Sequence, residues 1–272
     1  MRGKTRRMSA LMTVAAVALV IGLPGCATPP KDDPEAMAAF EQTNDPYEPF
    51  NRGMFEFNLV LDKVVLKPVA FVYKEAVPDP IRNMIRNFLD NLRSPIIFAN
   101  DMLQGEFDRA GDTLMRFVMN SSFGVLGIAD FAGAAGIEAH DEDFGQTLAV
   151  WGAGAGPYLM LPVLGPSNPR DALGLLVDFL FDPFSYIADD EFRIARVAAR
   201  AVDTRARRYD TINELERTSL DFYAAVRSLY RQRRKDEIQN GVPSAQQPTP
   251  MMSFSPLDFG DHLAQPKLSM AD

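Results

Sequence analysis

The sequence predicts an all-α protein, folded as one helical domain over residues 46–240 with little or no strand. Apolar side chains recur at three- and four-residue steps in the long segments, which is helical spacing. The β-branched runs Val64-Val65-Leu66 and Ile96-Ile97-Phe98 are short and each adjoins a proline, so they read as helix segments or turns. No segment alternates polar with apolar residues beyond a few positions.

The first element is a secretory signal over residues 1–25. Arg2, Lys4, Arg6 and Arg7 precede an apolar run from Ala10 to Leu23, too short for a helix that spans a bilayer. Leu23-Pro24-Gly25-Cys26 then resembles a bacterial lipobox, with Pro24 a departure from the usual small residue. On that reading cleavage leaves Cys26 as the lipidated first residue. Three acyl chains there exceed the two signals that stable anchoring needs. Cys26 is the only cysteine, so neither an intramolecular disulfide nor a thiolate metal site can form. Ala27 follows instead of an Asp that would favour the inner membrane, so the expected location is the outer membrane, anchored on its periplasmic side.

Removal of the signal takes away four basic residues and no acidic ones, so the net charge falls from −8 to −12. That balance excludes a nucleic-acid partner of the usual kind, which rewards clustered Lys and Arg. Residues 26–45 read as the lipidated cysteine and a flexible tether, and residues 241–272, rich in Pro, Ser and Gln, as a disordered tail.

Within the body, Phe107, Ala110, Leu114, Phe117 and Val118 share a helical face, in a helix that starts near Glu106 and ends around Asn120 to Gly124. Ile212, Leu215, Ser219, Phe222, Val226 and Leu229 make one mostly apolar stripe, and Asp221 is placed to cap a second helix after a break near Thr218. Residues 124–136 and 173–184 are apolar without a clear polar face, which suits either a buried layer or a surface against lipid.

Candidate chemistry is sparse. Gly165-Pro166-Ser167-Asn168-Pro169 lacks the second glycine of a hydrolase nucleophile turn, so Ser167 is expected in a turn or at a helix cap. His140-Asp141-Glu142-Asp143 reads as an exposed acidic turn, because the only other histidine, His262, lies in the tail. No catalytic set, metal site or cofactor is expected. Arg116 and Arg170 sit among apolar residues as possible contacts for a lipid phosphate, with salt bridges to Asp112 or Asp171 as the alternative. The stretch WGAGAGPY, residues 151–158, has the wrong glycine spacing for a dinucleotide loop, and Pro157 and Pro162 forbid the helix that should follow.

The ordered series Asp45-Pro46-Tyr47-Glu48-Pro49-Phe50-Asn51-Arg52, Phe55-Glu56-Phe57-Asn58, Asn87-Phe88-Leu89-Asp90-Asn91-Leu92 and Asn100-Asp101-Met102-Leu103-Gln104-Gly105 resembles the MlaA (VacJ) family of lipoproteins. Arg116 to Ser121, Asp143 to Leu148, Trp151-Gly152, Gly156-Pro157-Tyr158, Leu161-Pro162 and Gly165-Pro166-Ser167 continue it in order over residues 45–240. The resemblance implies a ring- or disc-like helical domain with a central channel, lying in the inner leaflet of the outer membrane beside a trimeric porin. It implies transport without covalent chemistry. Phospholipid misplaced in the outer leaflet would pass through the amphipathic channel to a soluble, MlaC-like periplasmic carrier, keeping the membrane asymmetric. The other reading is a lipid-anchored envelope scaffold that binds a porin and transports nothing. Set against that channel, Gly152, Gly154, Gly156, Pro157 and Tyr158 are expected to border it as a mobile loop on a rigid base and to gate it, the alternative being a static packed turn.

Overall fold

The computed structural model describes residues 44–240. The signal segment, Cys26, nearly all of the tether and the tail lie outside the described residues. The expected dominance of helix holds, and the strands among the described residues are two three-residue segments.

The chain enters a long rod made of α1 (Glu48–Leu61), a π turn (Asp62–Leu66) and α2 (Lys67–Ala76). Pro68 explains the π turn. It has no N–H to give the preceding turn, and the wider turn, in which Lys67 N–H reaches the Asp62 carbonyl, carries the helix past it. Next come α3 (Asp79–Asn91), α4 (Ser94–Gln104) and α5 (Phe107–Ser122). Proline occupies the first turn of α1, α2, α3 and α4, where a missing donor costs nothing. Gly105, at φ 81°, closes α4 in the left-handed conformation.

Short helices α6 (Phe131–Ala134) and α7 (Phe144–Val150) precede a hairpin of β1 (Leu159–Leu161) and β2 (Gly165–Ser167), with Met160 opposite Pro166. The chain ends with α8 (Pro169–Phe181), α9 (Phe184–Ile187), α10 (Asp190–Arg207), α11 (Tyr209–Thr218) and α12 (Phe222–Ile238). Carboxylate or amide side chains of Asp130, Asp143, Asn168, Asp189 and Asp221 cap α6, α7, α8, α10 and α12, each accepting from an N–H in the first turn. The expected break before Asp221 is present.

The most extensive packings join α4 to α5, α7 to α8 and α2 to α10. Helices α7 and α8 cross where Gly174 meets Gly145, so closely that a Cβ on Gly174 would lie 2.2 Å from the Gly145 nitrogen. The apolar core is small. Phe55, Tyr158, Met160 and Tyr223 form it, with edge-on aromatic contacts of 5.5 Å (Phe55 to Tyr223) and 6.0 Å (Tyr158 to Tyr223).

Polar groups fill much of the remaining interior. Asn51, Asn100, Asp101, Glu142, Thr147 and Asp203 are all at least 98% buried. Large apolar side chains, in contrast, face outward along the rod and over α8 to α10, among them Val64, Val72, Phe181, Ile187 and Ile194. The ambiguity over residues 173–184 resolves toward exposed positions: Leu173, Leu180 and Phe181 are exposed away from the large cavity that α8 borders, and Leu175 and Phe179 are exposed on its wall.

Candidate functional site

A cavity of about 900 Å³ opens between α3, α4, the segment before α7, the hairpin, and α8, α10, α11 and α12. Its size is at the upper end for small-molecule sites. The apolar stripe foreseen on the last two helices turns inward to line it, through Ile212, Leu215, Phe222, Val226 and Leu229. The same face of α12 continues with Tyr230, Arg233, Arg234 and Glu237. One helix face thus grades from apolar to charged over about 22 Å, at 1.5 Å per residue. Leu92, Ile96, Leu175 and Phe179 add apolar wall, and Arg93, Asp141, Asp178, Arg196 and Arg200 add polar wall.

Most of the charge on the wall is paired. Arg93 meets Asp141 at 3.0 Å, Arg200 meets Asp90 at 2.8 Å, Arg233 meets Glu237 at 2.6 Å, and Arg196 binds Asp182. Arg234 grips Asp143 with both terminal nitrogens at 2.6 Å and reaches Asp171 as well. Burial works against ionisation of Asp143, yet the hydrogen bonds and charge of Arg234, with the Gln146 N–H, hold its pKa below the usual value. Asp178 lacks such a cation, and burial raises its pKa despite donors from Phe144 N–H and Asn100. Arg208 differs from the other cavity arginines: among the described residues no carboxylate lies within ion-pair distance of it. Desolvation, followed by the facing guanidiniums of Arg233 and Arg207, lowers its pKa.

The residues singled out from the sequence fall elsewhere. Gly152, Gly154 and Gly156 are exposed, and neither they nor Pro157 and Tyr158 line the cavity. Tyr158 is 1% exposed and belongs to the aromatic core, so its conformation is fixed by Phe55, Tyr223 and Tyr230. Arg116 donates to Asp130, at 3.0 Å, and to the Ile137 carbonyl, and Arg170 pairs with Asp171 at 2.9 Å; neither is on the large cavity. Arg116 borders a separate polar pocket of about 250 Å³.

The turn at residues 140–143 is more buried than its composition suggests, which corrects the reading of an exposed turn. His140 contacts Asp101 at 3.0 Å and Thr113 at 3.1 Å, and Glu142, 1% exposed, accepts from Arg109 and Gln104. Gln104 of α4 and Arg109 of α5 donate to Glu142, and its burial follows, while Asp141 stays exposed beside Arg93. Ser167 is buried and its hydroxyl donates to the Asn168 carbonyl, with Asn168 acting as the helix cap. Cys26 lies outside the described residues.

Asn51 and Asn58 are functional candidates that pattern reading missed. Seven residues apart, they stand on one face of α1 and clasp the hairpin. Asn51 accepts from Met160 N–H at 2.9 Å and donates to the Tyr158 carbonyl at 3.0 Å. Asn58 accepts from Val163 N–H at 2.7 Å and donates to the Leu161 carbonyl at 2.9 Å. Val163 holds φ at 68°, a strained value for a β-branched residue, at the tip that brings Leu164 to the cavity. Both asparagines lie in stretches quoted above as family-like, and their amides were the available signal.

Comparison with known proteins places the chain. The family described as MlaA lipoprotein matches residues 43–237. A protein of Shigella flexneri named as the lipoprotein MlaA of an intermembrane phospholipid transport system is 36% identical over 231 residues, covering 82% of this chain and 88% of its own. An uncharacterized protein of Rickettsia bellii is 34% identical over 196 residues, 72% of this chain and 77% of its own. A solved chain, from work on how bacterial outer membrane lipid asymmetry is maintained, superimposes with a TM-score of 0.65 at 37% identity, covering 71% of this chain and 98% of that one. The protein described here is therefore a member of the MlaA lipoprotein family.

Proposed function

We propose that this protein is an outer-membrane lipoprotein that withdraws mislocalised phospholipid from the outer leaflet through its cavity and passes it to a soluble periplasmic carrier. The carrying observation is the inverted distribution of polarity. Large apolar side chains cover the outside, while the cavity wall grades from apolar to charged. Such a wall keeps a headgroup wet and its tails dry during transfer, which lowers the barrier to crossing. Among the described residues no helix is long and apolar enough to cross a membrane. Helices of this kind lie within one leaflet with their apolar faces toward acyl chains, and acylated Cys26 holds them there.

Family membership supports a trimeric porin as the neighbour and a periplasmic carrier as the acceptor. Gly3-Lys4-Thr5, in the basic start of the signal segment, has no glycine five residues before Gly3 and so makes no phosphate loop, and in this reading direction comes from the carrier side. The gate proposed for the glycine segment acts at one remove. Gly154 has open space around it, and the segment leads through the fixed Tyr158 into the hairpin whose Leu164, Pro166 and Ser167 form cavity wall.

Deletion of the gene tests the proposal. Phospholipid is expected to accumulate in the outer leaflet and detergent sensitivity to rise; an unchanged outer leaflet refutes it. Mass spectrometry of lipid extracted from the purified protein separates transport from a scaffold role, which predicts none bound.

A further inference from the structure

We infer that Arg208 recognises the headgroup: its guanidinium binds the phosphodiester of a phospholipid while the acyl chains lie along the wall beginning at Ile212 and Leu215. This rests on the proposed transport of phospholipid through the cavity.

Arg208 occupies the turn between α10 and α11, at φ −100° and ψ 14°, and lines the cavity with Thr211 and Ile212. The carboxylate that acts on it, Glu237, is already taken, and so is Asp203 in the last turns of α10. Glu237 is held by Arg233 at 2.6 Å and Arg234 at 3.2 Å, and Asp203 by Arg207 at 3.0 Å. Glu237 thus already answers two guanidiniums, which leaves the charge of Arg208 for an anion brought by a ligand. A guanidinium presents its donors as a fork that matches two phosphate oxygens. The Thr211 side chain, one helical turn away, adds a hydroxyl donor on the same wall. One residue further, Ile212 begins the apolar stripe. A charged headgroup contact thus adjoins the surface its tails require.

The sequence offered Arg116 and Arg170 for this task, but both guanidiniums are committed to carboxylates. Arg208 is free of one, so its replacement strands no carboxylate partner.

The test uses the full-length acylated protein in detergent micelles, titrated with fluorescent phosphatidylglycerol and with fluorescent diacylglycerol carrying the same tails. Wild type is expected to prefer the phosphatidylglycerol by about tenfold, the value of one good charge-assisted contact. Arg208→Gln is expected to reduce that preference to about twofold or less, with Arg208→Lys between them because it keeps the charge and loses the fork. Circular dichroism melting confirms that each variant is folded. A glutamine variant that still discriminates about tenfold overturns the assignment, as does a lysine variant equal to wild type. Displacement of the fluorescent phosphatidylglycerol by inorganic phosphate at equal concentration assigns Arg208 to a free anion and also overturns it. If wild type binds neither lipid, the failure belongs to the proposed function and not to Arg208.

Discussion

Replacing Arg234 by glutamine removes the charge that ties three elements together. From α12 its guanidinium holds the capping Asp143 of α7 bidentately at 2.6 Å and reaches Asp171 in the first turn of α8. Its side chain is 11% exposed, so the carboxylates it leaves behind are poorly solvated. Breaking a buried pair from one side costs about 3–5 kcal/mol. The lower end applies here, because Asp171 keeps Arg170 at 2.9 Å and Asp143 is 27% exposed. A loss of about 3 kcal/mol in a body of this size lowers Tm by roughly 6–12 °C. Arg233→Gln is the control: its pair with Glu237 is 56% exposed on the arginine side and is worth about 1 kcal/mol or less. Thermal unfolding of the full-length protein in detergent, followed by near-ultraviolet circular dichroism, measures both. A drop for Arg234→Gln no larger than that for Arg233→Gln refutes the reasoning. The pH dependence has a definite sign. Asp143 has a folded pKa below its unfolded value, so its contribution is present above about pH 4 and fades as pH falls through the folded pKa. The gap between wild type and Arg234→Gln should therefore be full at neutral pH and narrow in acid.

Gly174→Ala should force α7 and α8 apart at the Gly145 backbone and cost about 1–3 kcal/mol, read as a lower Tm, whereas a variant as stable as wild type would deny the close crossing. Asn51→Ala leaves the buried Met160 N–H and Tyr158 carbonyl unpaired and should cost about 3 kcal/mol, while Asn58→Ala at the exposed tip should cost about 1 kcal/mol and speed hydrogen exchange of Val163 N–H; equal effects at the two sites would contradict the distinction. Gly154 has nothing within 4 Å of its absent Cβ, so Gly154→Val should fold and reach the membrane normally yet impair lipid clearance. Normal clearance removes the glycine segment from the gate, and a misfolded variant favours the static turn.

The helices were legible because their punctuation is local. The Asp221 cap and the three-four spacing of Ile212 to Leu229 act within a few residues, and each element they announced is present. What the spacing did not carry is the direction of a face. The Ile212 stripe was legible as apolar but not as cavity wall, because the periodicity of an apolar surface is the same whichever neighbour it meets. Arg116 and Arg170 were chosen for their apolar neighbours in sequence; Arg170 takes Asp171, the adjacent partner named as the alternative, while Arg116 takes Asp130 and not Asp112. Arg208 stands in a run of charges whose partners spacing does not name, and the folded arrangement shows Glu237 engaged by Arg233 and Arg234 instead. The hairpin escaped notice because three-residue strands are too short to alternate, and side-chain amides of a helix supply much of the support a third strand would give.

The abundance of buried polar clasps follows from the same inversion that supports the proposed function. If acyl chains surround the outer surface, turning Val64, Val72 or Phe181 outward is not penalised, and burying them would gain little, because lipid tails are as apolar as a protein core. The hydrophobic effect then holds such a body together mainly through its small aromatic core. Directional contacts must do the rest, and they work best where water is scarce. Asn51 on the hairpin, Asp101 between His140 and Thr113, Glu142 under Arg109, and Arg234 across Asp143 each join segments distant in sequence. A water-soluble domain of this length could replace several of them with leucine and gain stability. In a leaflet the same replacements would remove the contacts that fix distant segments to one another, Arg234 across Asp143 on the cavity wall among them, since leucine is as content against lipid as against its neighbours.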